Sequence, residues 1–169
     1  MSTFNAIHLG ADMTPREAVA DIINRGTAAF DLGDAALLES AFTEDAAMAI
    51  SGINRFEGLT AIRADCFTPV SKLDTVHMAS NVRVLFADGD GASAKKATAT
   101  ANFQANHYRA GEGVKPDAVG FTTGGIYTLE CVKDEGDKGL WRARSWEVKL
   151  TWTLGDQSVM TSGAPEEKK

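Results

Sequence analysis

With 169 residues, 44% of them apolar, the chain holds enough material for one domain-sized core and little for a second. A formal charge of −6 and a pI near 5.0 speak against partners held through phosphate or anionic lipid, so neither nucleic acid nor a membrane surface is an expected partner. No apolar stretch approaches the roughly 20 residues of a membrane span and the start lacks a signal-peptide pattern, so the expected location is the cytoplasm.

In chain order, Met1 to Asp12 reads as a loose arm, and the arm as a whole is set at residues 1–13. Thr14-Pro15-Arg16-Glu17 is a helix start: threonine caps, proline suits the first helical position, and glutamate caps back. Ala18, Val19, Ile22, Ile23, Gly26, Ala29 and Phe30 recur at helical spacing, which predicts a long helix ending near Asp31-Leu32-Gly33. Asp34 then caps a short helix with Leu37, Leu38, Ala41 and Phe42 on its apolar stripe, closed by Thr43-Glu44-Asp45. Ala46 to Ser51 reads as a short strand, Gly52 to Arg55 as a turn, and Leu59 to Phe67 as a third helix stopped by Thr68-Pro69.

Everything beyond reads as sheet. Strands are expected over Thr75 to Phe86, Ala92 to Tyr108, Val119 to Lys133 and Leu140 to Leu154, with a hairpin turn at Asp88-Gly89-Asp90-Gly91 and another over residues 134–139. Helices first and antiparallel strands afterwards give an α+β architecture with the helices on one face of the sheet. The domain spans residues 14–156, and 157–169 reads as a disordered tail.

Cys66 and Cys131 are too few for a disulfide framework, and His8, His77 and His107 show no close-spaced ligand pattern, so no metal is expected. Alternation places Ala97, Ala99, Ala101, Phe103, Ala105 and His107 on one strand face; such small side chains leave a hollow under covering helices, with His107 at its rim. His77 shares a face with Ala79, Asn81, Arg83 and Leu85, while Met78, Val82, Val84 and Phe86 take the other, unless a β-bulge exchanges them. Apolar residues on both faces suggest helices on one side and a second subunit on the other, a homodimer. Trp146 and Trp152 read either as pocket walls for a ring-shaped ligand or as core or interface.

Phe30-Asp31-Leu32-Gly33-Asp34 with Leu37, Leu38 and Phe42, then Thr43-Glu44-Asp45-Ala46, resembles the opening of SnoaL-like proteins in the nuclear transport factor 2-like superfamily. His77 with Asn81-Val82-Arg83-Val84, and Gly125-Ile126-Tyr127-Thr128-Leu129 with Leu140-Trp141-Arg142-Ala143, resemble later landmarks. The likeness covers residues 14–156 and implies a cone-shaped α+β barrel, a curved mixed or antiparallel sheet whose N-terminal helices cover an apolar pocket, usually in a dimer. Dehydratases, isomerases, cyclases, epoxide hydrolases and non-catalytic binders share that shape, so shape alone names no reaction. Within it, the scytalone dehydratase-like subgroup is most similar in site pattern: Asp31, His77 and His107 match its aspartate and two histidines. Phe30 stands where that subgroup has a tyrosine, a second tyrosine falls near Ala49 or Ile50, and a strand serine and asparagine fall near Gly124 and Ile126, which argues for a different substrate.

A histidine held by a carboxylate can take a proton at one carbon and return it elsewhere without a cofactor. The expected enzyme is therefore a cofactor-free isomerase, dehydratase or cyclase acting on an apolar or aromatic polyketide- or terpenoid-like molecule. Asp31, His77 and His107 form its catalytic set, and Phe30, Arg63, Asn81, Phe103, Tyr127 and Trp146 contact the substrate. A non-catalytic dimeric binding module and an epoxide hydrolase are the alternatives. Each residue also has a purely structural reading: Asp31 as a second cap beside Asp34, His77 as a satisfied strand-end histidine, His107 as a loop-facing surface residue, Arg63 as a surface contact.

Overall fold

Thr14 and Glu17 exchange both bonds of a capping box, at 3.3 and 2.7 Å, and Pro15 follows at the first helical position. The structure, a computed structural model, describes residues 6–9, 13–88 and 91–161. Helix α1 spans Pro15–Leu32 and ends where Gly33 turns left-handed at φ 64°. Its apolar stripe is buried as periodicity predicts, but so are Asp21 and Arg25. Arg25 donates from Nε to Asp21 (2.7 Å), from Nη2 to the Trp141 carbonyl (2.7 Å), and from Nη1 to the carbonyl and hydroxyl of Ser40. The charge is thus matched by acceptors from three elements, which fixes the helix over the sheet.

Helix α2 spans Ala35–Ala41, and Asp34 accepts from the Ala36 and Leu37 N–H groups. Asp34 alone caps it, which leaves Asp31 free for another task. Strand β1 spans Phe42–Ile50, four residues longer at its start than expected, because Phe42 pairs with Ala143 instead of closing the helix. Asn54–Glu57 forms β2 against β1 where a turn was expected over its first half.

The helical segment 59–70 runs through Pro69 instead of stopping before it. Its middle, Ile62–Phe67, is a π-helix, and the Thr68 N–H bonds back to the Arg63 carbonyl. The widened turn shifts the bonding register just ahead of the proline, so its missing N–H leaves the helix continuous.

Strands β3 (Asp74–Phe86), β4 (Lys96–Tyr108), β5 (Gly120–Asp134) and β6 (Leu140–Gly155) form antiparallel neighbours, and β1 joins β6 in parallel, giving the order β2-β1-β6-β5-β4-β3. Three kinks reset which side chains face inward. In β3, Ser80 pairs with Asn102 and Arg83 with Thr100, so Asn81 and Val82 together oppose one residue, and Asn81 takes φ 54°. Before this bulge Thr75, His77 and Ala79 face inward; after it Val84 and Phe86 do, so Asn81, Arg83 and Leu85 leave the face of His77. In β6, Arg144 is the extra residue between Ala143 and Ser145, so Trp141 and Ala143 and then Trp146 and Val148 are buried. The third kink is at Thr151, the extra residue of β6 between Leu150 and Trp152, after which Thr153 lines the cavity while Trp152 and Leu154 lie outside.

Residues 157–161, expected in a disordered tail, form a 3-10 helix, Gln157–Thr161, whose Val159 packs on Leu73 and Phe121. Ile7, expected in a loose arm, packs against the core. The rest of the expected arm (1–5 and 10–12), the hairpin tip (89–90) and the remaining tail (162–169) lie outside the described residues. Among the described residues no helix is long and apolar enough to cross a membrane.

Candidate active site

Asp31, at the last turn of α1, accepts three bonds from one residue of β3. The His77 backbone N–H reaches its two carboxylate oxygens at 3.1 and 2.9 Å, and His77 Nδ1 lies 2.6 Å from Oδ1. Both side chains are 12% exposed. With Nδ1–H donated to the carboxylate, the Nε2 lone pair of a neutral imidazole is left to act as a base.

His107 stands on the neighbouring strand, its ring 5.3 Å from that of His77 in an edge-on arrangement. Expected at the rim, it is instead 3% exposed, because β4 points it under the helices. Its Nδ1 lies 2.8 Å from the hydroxyl of Thr75, its direct cross-strand partner. Burial, reinforced by His77 and opposed by Asp31, pushes its pKa down to about 4, so it is a neutral imidazole near pH 7.

These groups border a cavity of about 480 Å³, the size of an ordinary small-molecule site. Its wall is aromatic. Phe103 and Tyr127 stack at 4.2 Å, Tyr127 meets Trp146 edge-on at 5.2 Å, Trp146 stacks on Phe42 at 5.5 Å, and Phe30 lies 5.7 Å from the His77 ring. Burial, with the charge of Asp31 adding to it, pushes the Tyr127 phenol up, so it stays protonated and can only donate or accept as a neutral hydroxyl. The Cys66 thiol, also in the wall, is pushed up to about 12 by burial, which makes it a packing group and not a nucleophile. Among the described residues no three His, Cys, Asp or Glu side chains gather in a way that could hold a metal ion.

Of the residues singled out in the sequence, Phe30, His77, Phe103, His107, Tyr127 and Trp146 line the cavity, and Asp31 reaches it through His77. Two do not. Arg63 sits on the outside of its helix and pairs with Glu39 at 2.7 Å, and Asn81 is exposed at the β3 bulge. Gly124 and Ile126, set against the family's polar strand positions, lie on the outer face; Trp152 covers Gly124 there and is 45% exposed. The β5 side chains that line the cavity are Phe121, Thr123 and Tyr127. Sequence reasoning passed over Thr75 and Thr123, although Thr75 shares the alternation of His77 and Thr123 that of Tyr127.

A curved sheet with helices over its concave side defines a small α+β cone that encloses a mostly apolar cavity with an Asp–His pair at its wall. Residues 11–147 match the model of the SnoaL-like domain, and the chain belongs to that family. It is 39% identical over 153 residues, 90% of this chain and 94% of the relative, to terrestric acid biosynthesis cluster protein E of Penicillium crustosum. Solved structures share the fold. A proposed scytalone dehydratase of Novosphingobium aromaticivorans superposes with a TM-score of 0.67 at 18% identity, covering 83% of this chain and 86% of that one. The hexachlorocyclohexane dehydrochlorinase LinA-type3 of Novosphingobium barchaimii gives 0.64 at 17% identity, over 85% and 91%.

Proposed function

We propose that this protein is a cofactor-independent acid–base enzyme, an isomerase, dehydratase or cyclase, acting on a polyketide- or terpenoid-like intermediate of secondary metabolism. The observation that carries the reading is the convergence of Asp31, His77 and His107 on an apolar cavity of about 480 Å³. His77 Nε2 takes a proton from an acidic C–H, and Asp31 stabilises the imidazolium that results. His107, neutral and anchored by Thr75, offers Nε2–H to the oxygen on which charge develops whenever the Thr75 hydroxyl donates to Nδ1. Returning the proton to another carbon completes an isomerisation, and delivering it to a departing hydroxyl completes a dehydration. The relative from a biosynthesis cluster supports the setting in secondary metabolism. Epoxide opening is less well supported, since both Asp31 oxygens are occupied by His77 instead of holding a water.

The reading includes a cytoplasmic homodimer. Val76, Met78, Leu85, Ile126, Trp152 and Leu154 are exposed together on the outer face of β3 to β6, an apolar surface of the kind a second copy covers.

Incubation in D2O with 1-tetralone, a bicyclic ketone with a weakly acidic C–H beside its carbonyl, tests the chemistry. Mass spectrometry should show deuterium uptake above buffer that is lost in His77→Gln. Uptake no faster than buffer, or unchanged in His77→Gln, contradicts the reading and favours an inert binding module.

A further inference from the structure

One rung of the sheet crosses the whole cavity. His77 pairs with Ala105, Ala105 with Thr123, and Thr123 with Thr153, and all four project toward the concave side. His77, Ala105, Thr123 and Thr153 line the cavity, together with Gln157 from the 3-10 helix that follows β6. Strands lie about 4.8 Å apart, so Thr123 stands roughly 10 Å from His77 along the rung, with only the methyl group of Ala105 between them. That gap is the width of a small ring system.

Thr123 is 8% exposed, yet its hydroxyl has no hydrogen-bond partner among the described residues. Three threonine hydroxyls in the same region are engaged: Thr75 by His107, Thr27 by the Ile23 carbonyl at 2.8 Å, Thr122 by Asn106 at 3.0 Å. A hydroxyl on a largely buried residue that has no protein partner and opens onto a cavity is placed to meet a ligand. Toward the mouth the same side continues with Thr153 and Gln157, both exposed and both without side-chain partners among the described residues. The His77 end and the Thr123 end are thus polar, and the span between them is apolar.

We propose that Thr123 is a specificity-determining residue that hydrogen-bonds an oxygen function of the substrate, a hydroxyl or carbonyl on the far side of a ring-sized body from the carbon that His77 deprotonates. The inference rests on His77 as the base and adds a substrate class: compact, ring-bearing molecules oxygenated at both ends. Thr153 and Gln157 extend the polar track to the mouth, where a longer polar substituent emerges into water.

Titration of tryptophan fluorescence with 1-tetralone and with 6-hydroxy-1-tetralone, which adds a hydroxyl across the bicycle from the reacting carbon, tests it. The wild type should bind the hydroxylated probe about tenfold more tightly, as one well-placed buried hydrogen bond allows. Thr123→Val should erase that preference while leaving the affinity for 1-tetralone within about twofold, and Thr123→Ser should retain it. Protons of the hydroxylated ring should also show a nuclear Overhauser contact with the Thr123 methyl in the wild type, a readout that needs no variant. Equal affinity for the two probes in the wild type, absence of saturable binding, an intact preference in Thr123→Val, or absence of that contact each overturns the proposal. His77→Gln should keep the preference even as it loses deuterium uptake, so failure of the base and failure of the far-end contact are told apart.

Discussion

His77 Nδ1 and Asp31 Oδ1 lie 2.6 Å apart although 46 residues of chain separate them. The contact joins the last turn of α1 to β3, and it fixes the orientation of the histidine proposed as the base. In Asp31→Asn the side chain loses its charge, and its amide nitrogen can only donate, so the imidazole loses both its fixed tautomer and the charge that stabilises its protonated form. Deuterium uptake into 1-tetralone should fall by about 10²- to 10⁴-fold, the usual worth of a positioned acid or base, while circular dichroism stays unchanged.

His107 makes stability depend on pH in a defined direction. Its ordinary pKa of 6.5 applies to the unfolded chain, and burial lowers it to about 4 in the folded one. Between these values the unfolded state binds the proton and the folded state does not, so stability is complete above about pH 6.5 and falls as pH drops toward 4. The loss is at most about 3 kcal/mol and levels off below pH 4. Urea unfolding of wild type and His107→Gln across pH 4 to 7 checks this: the variant should lack that part of the slope.

Gly26 is small because Trp146 needs the space. A Cβ there would lie 2.6 Å from the indole Cζ3 and 2.8 Å from Cη2, and the ring is hemmed in by Phe42 and Tyr127. Overpacking costs about 1–3 kcal/mol, against about 1 kcal/mol gained from replacing a helical glycine. Gly26→Ala should therefore unfold at lower urea by up to about 2 kcal/mol and shift the tryptophan emission as the indole is pushed into the cavity.

The outer sheet face gives a separate test. A paired Val76→Glu and Leu85→Glu change places charge at two exposed positions, 55% and 72% accessible, away from the cavity. Sedimentation should show a dimer for the wild type and a monomer for the double variant, with the α-helical and β-sheet signal retained.

Much of the fold was legible because local chemistry and periodicity agreed. The Thr14 box, the Gly33 stop and the Asp34 cap predicted two helices almost to the residue, and the even alternation of β4 predicted its inward face from Ala97 to His107. What alternation missed were its interruptions. The Asn81 bulge removed Asn81 itself from the pocket, and the extra residues at Arg144 and Thr151 changed which side chains of β6 face inward. None of these positions carries glycine or proline to announce it. Phe42 was misplaced because an apolar stripe continues from α2 into β1, and only the partner strand decides where one ends.

The candidate site was legible where residue types were scarce. Two histidines outside the arm and one aspartate at a helix end left few combinations, and those three converge. Arg63 failed as a candidate because a long cation at a helix surface finds a carboxylate nearby, here Glu39, more cheaply than it enters an apolar cavity. Thr123 passed unnoticed because one threonine in a run of Thr122 and Thr123 carries no signal until the register shows which faces inward.

The tautomer of His77 tests the central claim most directly. In the protein labelled with ¹⁵N-histidine, long-range proton–nitrogen correlation near neutral pH should show the neutral His77 ring protonated at Nδ1 and bare at Nε2, and Asp31→Asn should abolish that preference. A neutral His77 protonated at Nε2 in the wild type, or one whose tautomer is indifferent to Asp31→Asn, would contradict the account.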